Sequence, residues 1–189
     1  MAESIPHELQ MPATPGGRAS DAPRPQQGTV TPHGTLAVYE PGNGKLVGEV
    51  RVSSAAQVRE AIAAAHSAQK EWARKSFAER GAVLRRFQQL VLDRADEIAG
   101  LLVRENGKTR NEALFMEVLP VADAVHYYAH NARKLLRDEK LSLHMFPHKK
   151  SYLRFYPRGV IGIISPWNYP FSIPAGDTVM ALMAGNGVV

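Results

Sequence analysis

The amino-acid sequence predicts an α/β fold with a β-hairpin first, a layer of helices next and the start of a parallel sheet last. Residues 160–164 are a continuous apolar run, which is typical of a parallel strand covered on both faces. Residues 173–184 then have a helical pattern, and Val188 and Val189 resume the apolar run. A strand, a helix and a second strand in this order predict a βαβ unit with parallel strands.

The chain divides into a tail and one domain. Residues 1–34 contain six of the thirteen prolines and little periodic apolar signal, so they cannot bury enough surface to offset their chain entropy. We therefore predict a disordered, proline-rich tail over residues 1–34 and a folded domain over residues 35–189.

Local signals mark the elements between the tail and the βαβ unit. Residues 35–52 hold two apolar stretches around a Pro-Gly-Asn-Gly turn, which predicts a β-hairpin. Three helices follow, each opened by a capping box in which a Gln or Glu comes three residues after a Ser or Thr. The boxes are Ser54 with Gln57, Ser76 with Glu79, and Thr109 with Glu112. The third helix extends to about residue 136, and Pro120 inside it predicts a kink because it removes one backbone donor. Residues 152–156 alternate apolar and charged or polar side chains, which predicts an exposed or partner-facing strand.

Composition bounds the classes of function. Without cysteine no disulfide scaffold can form, and the expected compartment is the cytoplasm. The sequence has no run of about 18 apolar residues, so no membrane span is predicted; no metal site is predicted either. The net charge is +5, and basic residues cluster within residues 133–158. This cluster favours a solvated surface over a nucleic-acid site, which would need base-stacking aromatics on a known module.

The most informative segment is residues 157–170, in which the apolar strand runs into the turn Pro-Trp-Asn-Tyr-Pro. Two prolines stiffen this turn, and it presents the carboxamide of Asn168 at its tip. Two interpretations stay open on this residue alone. The carboxamide either caps the turn, in which Asn is a favoured residue, or donates a hydrogen bond to a ligand.

Five segments, taken in order, carry a resemblance to a known family. They are residues 39–52, 105–108 (Glu-Asn-Gly-Lys), 127–129 (Tyr-Tyr-Ala), 162–170 and 184–186 (Ala-Gly-Asn). Together they resemble the N-terminal part of an NAD(P)-dependent aldehyde dehydrogenase, and the Pro-Trp-Asn-Tyr-Pro element is the most specific of them. The resemblance covers about residues 35–189, less than half of a full-length family subunit. It implies the N-terminal part of a Rossmann-type cofactor-binding domain.

The resemblance implies a reaction and a role for the turn. In such enzymes a cysteine thiolate attacks the aldehyde, the oxyanion intermediate passes hydride to NAD or NADP, and a glutamate-activated water releases the acid. Asn168 would be the side-chain donor of the oxyanion hole. Ile164, Ser165, Pro166 and Trp167 would run beside the cofactor, although packing in the core is an equally open alternative for Trp167.

The resemblance also implies a substrate pocket and an assembly. Tyr169, Ile173 and Gly176 would line the tunnel for a small-molecule aldehyde. A larger residue is common at the third of these positions, so Gly176 hints at a wider pocket. Residues 141–156 match the family's oligomerisation strand, which implies a homo-oligomer in the full-length form. We assign Asn106-Gly107-Lys108 to a turn with a structural role.

Other parts of the family's machinery have no counterpart in the sequence. The reaction needs a thiol nucleophile, and the chain contains no cysteine. The glutamate base, the cofactor-binding lysine and the turn under the pyrophosphate would all follow Val189. We therefore expect a fragment of an aldehyde-oxidising enzyme that is inactive alone, with an incomplete NAD or NADP site. The alternative is a non-catalytic remnant or interaction module that pairs with full-length subunits.

Overall fold

The structure is a computed structural model that describes Val30 and residues 34–146 and 148–189. Most of the tail predicted over residues 1–34 therefore lies outside the described residues. Val30 forms an isolated antiparallel bridge with Leu36, so this described part of the tail adjoins the first strand.

A hairpin and three helices open the domain. Strands β1 (Thr35–Tyr39) and β2 (Leu46–Arg51) pair in the predicted antiparallel hairpin. The helices are α1 (Ala55–Arg74), α2 (Phe77–Asp93) and α3 (Ala95–Asn106). Both α1 and α2 start at predicted capping boxes, with the reciprocal side-chain and backbone bonds formed. None of the described helices has the length and apolar character needed to cross a membrane.

The third predicted helix starts at the Thr109 capping box, as expected, but it is not regular throughout. It begins as α4 (Arg110–Glu112), continues as a π-helical segment (Ala113–Val118) and ends as α5 (Leu119–Leu135). In the π-helical segment the N–H of Leu119 donates to the carbonyl of Leu114. This wider hydrogen-bond register immediately precedes Pro120, which cannot donate. The irregularity expected at Pro120 therefore takes the form of a π-helical segment.

The main apolar core lies between α2, α5 and α6 (Ser172–Met183). Its buried members are Leu84, Val125, Ala132, Val179 and Met183. A second cluster of three buried valines from α2, the π-helical segment and α5 packs against Phe171, directly before α6. Both clusters hold α6 in place, and α6 follows the turn that carries Asn168.

The βαβ unit forms as predicted. Strands β5 (Val160–Ile161) and β6 (Gly187–Val188) pair in parallel on either side of α6 in the chain. The N–H of Ile163 donates to the carbonyl of Val189 at 2.9 Å, which extends the pairing by two residues. The prediction that residues 160–164 are covered on both faces is wrong for the described structure: Gly162 and Ile164 are exposed, and Val160, Ile161 and Ile163 are only half-buried. The pairing stops at Ile163, so Ile164 already belongs to the segment that leaves the sheet.

Two side chains of α1, together with Asn186 directly before β6, fix the end of α6 against the start of β5. The Asn186 Oδ1 accepts hydrogen bonds from the backbone N–H groups of Arg158 (2.6 Å) and Gly159 (3.1 Å). Gln69 of α1 donates to the carbonyl of Gly185 at 2.9 Å. The indole N–H of Trp72 donates to the carbonyl of Leu182 at 2.8 Å. The Ala-Gly-Asn segment thus locks the βαβ unit onto α1.

A second hairpin lies between α5 and β5 in the chain. Strands β3 (Glu139–Leu141) and β4 (Ser151–Leu153) pair in antiparallel fashion. Strand β4 ends at Leu153 and is therefore shorter than the strand predicted over residues 152–156. Tyr156, beyond the end of β4, is 73% exposed. Several of its large apolar side chains face solvent, among them Leu141, Tyr152, Leu153 and Phe155.

Candidate functional site

The candidate site is the turn that joins the end of β5 to α6. In open α/β sheets, ligands bind outside the carboxyl ends of the strands, and this turn begins there. Trp167 is 83% exposed, so it does not pack in the core that the described residues form. Asn168 is also exposed, and its carboxamide forms no hydrogen bond with the residues that the structure describes. The side chain of Asn168 therefore does not cap the turn.

Ser165 is the one residue of this turn whose polar group is hidden. Its Oγ is buried and has no hydrogen-bond partner within the described ranges. A buried hydroxyl without a partner is unfavourable, and such groups are rare in folded proteins. The hydroxyl thus fits a ligand group that approaches the end of β5.

The loop between α3 and α4 holds the turn from one side. The Asn106 carboxamide donates from Nδ2 to the carbonyl of Trp167 at 3.0 Å. The Lys108 ammonium lies 4.0 Å from the centroid of the Tyr169 ring, within the range of a cation–π contact. Both contacts fall on the residues that flank Asn168. The Gly107 between them has a φ of 74°, a left-handed conformation that suits glycine.

Glu117 holds the same turn from the other side. Its side chain is fully buried, and one carboxylate oxygen pairs with the Lys108 ammonium. The other oxygen accepts hydrogen bonds from the backbone N–H groups of Phe171 (3.1 Å) and Ser172 (2.8 Å). Helix α6 receives no cap from the side chain of its own N-cap residue, Phe171. Glu117 therefore supplies that cap from a distant part of the chain.

The surroundings of Glu117 keep it ionised. Burial raises the pKa of its carboxyl, but the hydrogen bonds from Lys108 and from the backbone of Ser172 and Phe171 outweigh this effect. The pKa consequently lies below its ordinary value of 4.5. An ionised, fully buried carboxylate is stable only when it is paired and hydrogen-bonded, as this one is.

The predicted pocket residues lie at the turn and on the first turns of α6. Tyr169, Ile173 and Gly176 are all half-buried. A methyl group added at Gly176 would meet no atom within 4 Å, so the space beside this position is open. Among the described residues, no group of three or more His, Asp or Glu side chains could hold a metal ion.

Three residues of the site were not identified as functional from the sequence. The sequence predicts a structural turn for Asn106 and Lys108, and it singles out no role for Glu117 within the third helix. The Glu-Asn-Gly-Lys segment pointed to the loop, but no local pattern links it to a turn some 60 residues later. The periodic helical pattern hides Glu117, because a charged residue in a helix is usually solvated.

The site thus consists of a parallel strand that ends in a rigid turn, with the exposed amide of Asn168 at the tip of this turn. The aldehyde dehydrogenase family model matches residues 29–189. The chain belongs to the aldehyde dehydrogenase family.

Curated relatives agree with this assignment. The chain is 37% identical over 155 residues to a Mycobacterium tuberculosis protein named "Putative succinate-semialdehyde dehydrogenase (NADP+) 2". It is 34% identical over 156 residues to an aldehyde dehydrogenase-like protein of Schizosaccharomyces pombe. Each match covers 82% of this chain and 30% of the relative. The chain therefore spans about 30% of the length of these relatives, in their N-terminal part.

Solved structures confirm the fold. An aldehyde dehydrogenase from Brucella melitensis biovar abortus 2308 superposes with a TM-score of 0.75 at 30% identity, over 82% of this chain and 31% of that one. An NAD-dependent benzaldehyde dehydrogenase from Corynebacterium glutamicum superposes with a TM-score of 0.73 at 29% identity, over 82% and 33%. The predicted fold, the N-terminal part of an aldehyde dehydrogenase, is therefore confirmed.

Proposed function

We propose that this chain supplies the oxyanion-stabilising turn and part of the cofactor site of an enzyme that oxidises an aldehyde to a carboxylate with NAD or NADP. The observation that carries the proposal is the exposed Asn168 carboxamide at the tip of a turn that is held on both sides. Amide N–H groups fixed in this way stabilise the negative charge that develops on a carbonyl oxygen during nucleophilic attack. The fixed backbone on either side of Asn168 reduces the reorganisation that the amide needs at that moment.

The end of β5 is the proposed cofactor edge. When bound, a nicotinamide cofactor accepts hydride from the substrate. The residues that would contact it are Ile164, Ser165, Pro166 and Trp167, and their state fits a ligand. Ile164 and Trp167 offer exposed apolar surface, and Ser165 offers a buried hydroxyl with no partner in the described part of the chain. The names of the relatives include both NAD and NADP dependence, so both cofactors belong to the proposal.

The proposed substrate is a small-molecule aldehyde that enters past Tyr169, Ile173 and Gly176. The open space beside Gly176 supports a pocket wider than one in which a large side chain fills this position. A completed enzyme is therefore expected to accept aldehydes larger than acetaldehyde. Turnover confined to acetaldehyde-sized substrates would contradict this pocket assignment.

The proposed reaction uses a thiolate nucleophile, and the 189 residues contain no cysteine. We propose that the nucleophile and the general base belong to a longer polypeptide of which these residues are part, and that the 189 residues alone do not oxidise aldehydes. The intact mass of the native protein tests this point first. A mass well above that of 189 residues supports it, and a mass equal to it contradicts it. The cytoplasmic location expected from the sequence is part of the same proposal.

Replacement of Asn168 tests the catalytic role. In the active protein that contains this chain, Asn168→Ala should lower kcat by about 10²–10³-fold, because one oxyanion donor is lost. The KM for the cofactor should change little. Asn111→Ala is a matched control, since Asn111 is an exposed asparagine on α4 that lies outside the turn. Equal losses in kcat and in cofactor affinity would indicate that Asn168 has a structural role instead.

A second candidate function is an interaction module that pairs with full-length subunits. The exposed apolar side chains of the β3–β4 hairpin favour it, because an open sheet edge is a surface for pairing with another chain. The same hairpin overlaps residues 141–156, the proposed oligomerisation strand of the enzyme. The two candidates differ in their dependence on Asn168. The enzyme would need this residue for its catalytic rate, whereas an interaction module would pair with its partner whether or not Asn168 is present.

A further inference from the structure

We propose that Glu117, Lys108 and Asn106 are positioning residues that fix the turn carrying Asn168. This inference rests on the proposed role of Asn168, but it adds a separate set of residues. All three contact the turn at residues other than Asn168, so they act on the position of Asn168 through its neighbours.

The contacts of these residues bracket Asn168 closely. Asn106 bonds the carbonyl of Trp167, the residue immediately before it. Lys108 lies against the ring of Tyr169, the residue immediately after it. Glu117 accepts from the N–H groups of Phe171 and Ser172, where the turn enters α6. The backbone is thus held before and after Asn168, while the carboxamide itself stays exposed.

The three contacts form one connected group. The Lys108 ammonium pairs with Glu117 and also lies against Tyr169, so it links the cap of α6 to the ring beside Asn168. Lys108 is 14% exposed and Glu117 is fully buried. Charge-assisted hydrogen bonds are stronger than neutral ones, and shielding from water strengthens this pair further. Loss of either charge would leave its partner buried and unpaired.

The local backbone has features that are common at functional sites. Glu117 lies in the π-helical segment (Ala113–Val118), and π-helical turns inside α-helices are frequent at functional sites. Phe171 cannot cap α6 with its side chain, so the first N–H groups of that helix depend on Glu117. The orientation of the turn relative to α6 is therefore set by a residue more than 50 positions earlier in the chain.

Loss of these contacts should lower the catalytic rate more than the affinity for the cofactor. A displacement of about 1 Å in a catalytic group can cost about 100-fold in rate. A turn released at Glu117 keeps its Asn168 amide but no longer presents it in one position. We therefore expect Glu117→Gln to lower kcat by about 10–100-fold while the KM for the cofactor stays near the wild-type value.

Hydrogen exchange of the backbone tests the inference without activity. In the native protein that contains this chain, Glu117→Gln should speed the exchange of the Phe171 and Ser172 amides by about tenfold or more, because their charged acceptor is lost. The amides of β1 and β2 should exchange at wild-type rates. Glu71→Gln is the matched control, since it removes a glutamate from an exposed ion pair with Arg74 on α1. Wild-type exchange at Phe171 and Ser172 in Glu117→Gln would overturn the proposal.

A second variant separates positioning from folding. Asn106→Ala removes one hydrogen bond at a loop and leaves the buried ion pair intact, so the protein should fold even if Glu117→Gln does not. It should also lower kcat, with faster exchange confined to residues 167–172. Unchanged kcat and unchanged exchange in Asn106→Ala would remove this residue from the group and overturn the proposal as stated.

The experiments distinguish a failure of the proposed enzymatic function from a failure of the positioning role. If the wild-type protein does not oxidise aldehydes, the proposed function fails, and the exchange data still decide whether these residues fix the turn. If the wild type is active and Glu117→Gln retains both its kcat and its exchange rates, the function stands and the positioning role is wrong. Restoration of kcat by Glu117→Asp would support positioning by a carboxylate at this place.

Discussion

Gly187 in β6 and Gly176 in α6 differ in the space beside their Cα atoms. A methyl group at Gly187 would lie 2.9 Å from the carbonyl oxygen of Ala65 and 3.3 Å from Cβ of Gln69. The backbone of β6 therefore passes too close to α1 for any side chain. At Gly176, within α6, the same methyl group would meet open space. One glycine is needed for a close approach, and the other is not needed for packing at all.

These contacts predict changes in stability of opposite sign. Gly187→Ala should lower the free energy of unfolding by about 1–3 kcal/mol, since overpacking forces the backbone to move. Gly176→Ala should raise it by up to about 1 kcal/mol, because alanine favours a helix interior over glycine. Urea unfolding of both variants beside the wild type measures these differences. A neutral Gly187→Ala would mean that α1 and β6 are not in close contact.

At the scale of one element, helix α6 depends on a charge from elsewhere in the chain. The N–H groups of Phe171 and Ser172 donate to Glu117, whose pKa is lowered below 4.5. A group with a lowered folded-state pKa stabilises the fold above its unfolded value, and this stability is lost as the pH falls through the folded pKa. The cap of α6 should therefore weaken in acid.

The difference between wild type and Glu117→Gln isolates this effect. Several exposed carboxyl groups also have lowered pKa values, but they are common to both proteins. The wild type should be more stable than the variant at neutral pH, and the gap should shrink as the pH falls below 4.5. Urea unfolding at a series of pH values measures the gap. A gap that stays constant with pH would show that Glu117 does not act through its charge.

The same helix shows what the sequence could and could not predict. The capping boxes at Ser54, Ser76 and Thr109 join residues only three apart, so the pattern of side chains was enough to predict them. The cap of α6 joins residues 54 and 55 positions apart, and no short pattern encodes such a contact. The turn with Asn168 was predicted because its prolines act locally. The groups that hold it were not, because they act through the tertiary structure.

At the scale of the whole molecule, large apolar side chains are exposed in many elements, including the βαβ unit and the β3–β4 hairpin. Ile164 lies fully exposed beyond the pairing of β5, and the β3–β4 hairpin exposes large side chains. The sequence predicted a strand covered on both faces over residues 160–164 because a continuous apolar run is typical of one. Such a run indicates that the residues are buried in the complete fold. It does not show which helices or strands bury them.

The β3–β4 hairpin predicts association of the chain with itself. Leu153 and Phe155 are each 43% exposed, on or just beyond the short strand β4, whose outer edge is open in the described structure. Exposed apolar edges pair with other chains, and charged side chains on an edge oppose such pairing. The double variant Leu153→Lys with Phe155→Lys should therefore shift the protein towards the monomer, as measured by light scattering after size-exclusion chromatography. Leu92→Lys, at an apolar residue of α2 that is 47% exposed, is the control for added charge and should leave the mass unchanged. If both variants lower the mass equally, the hairpin is not the pairing surface, and association follows from apolar exposure in general.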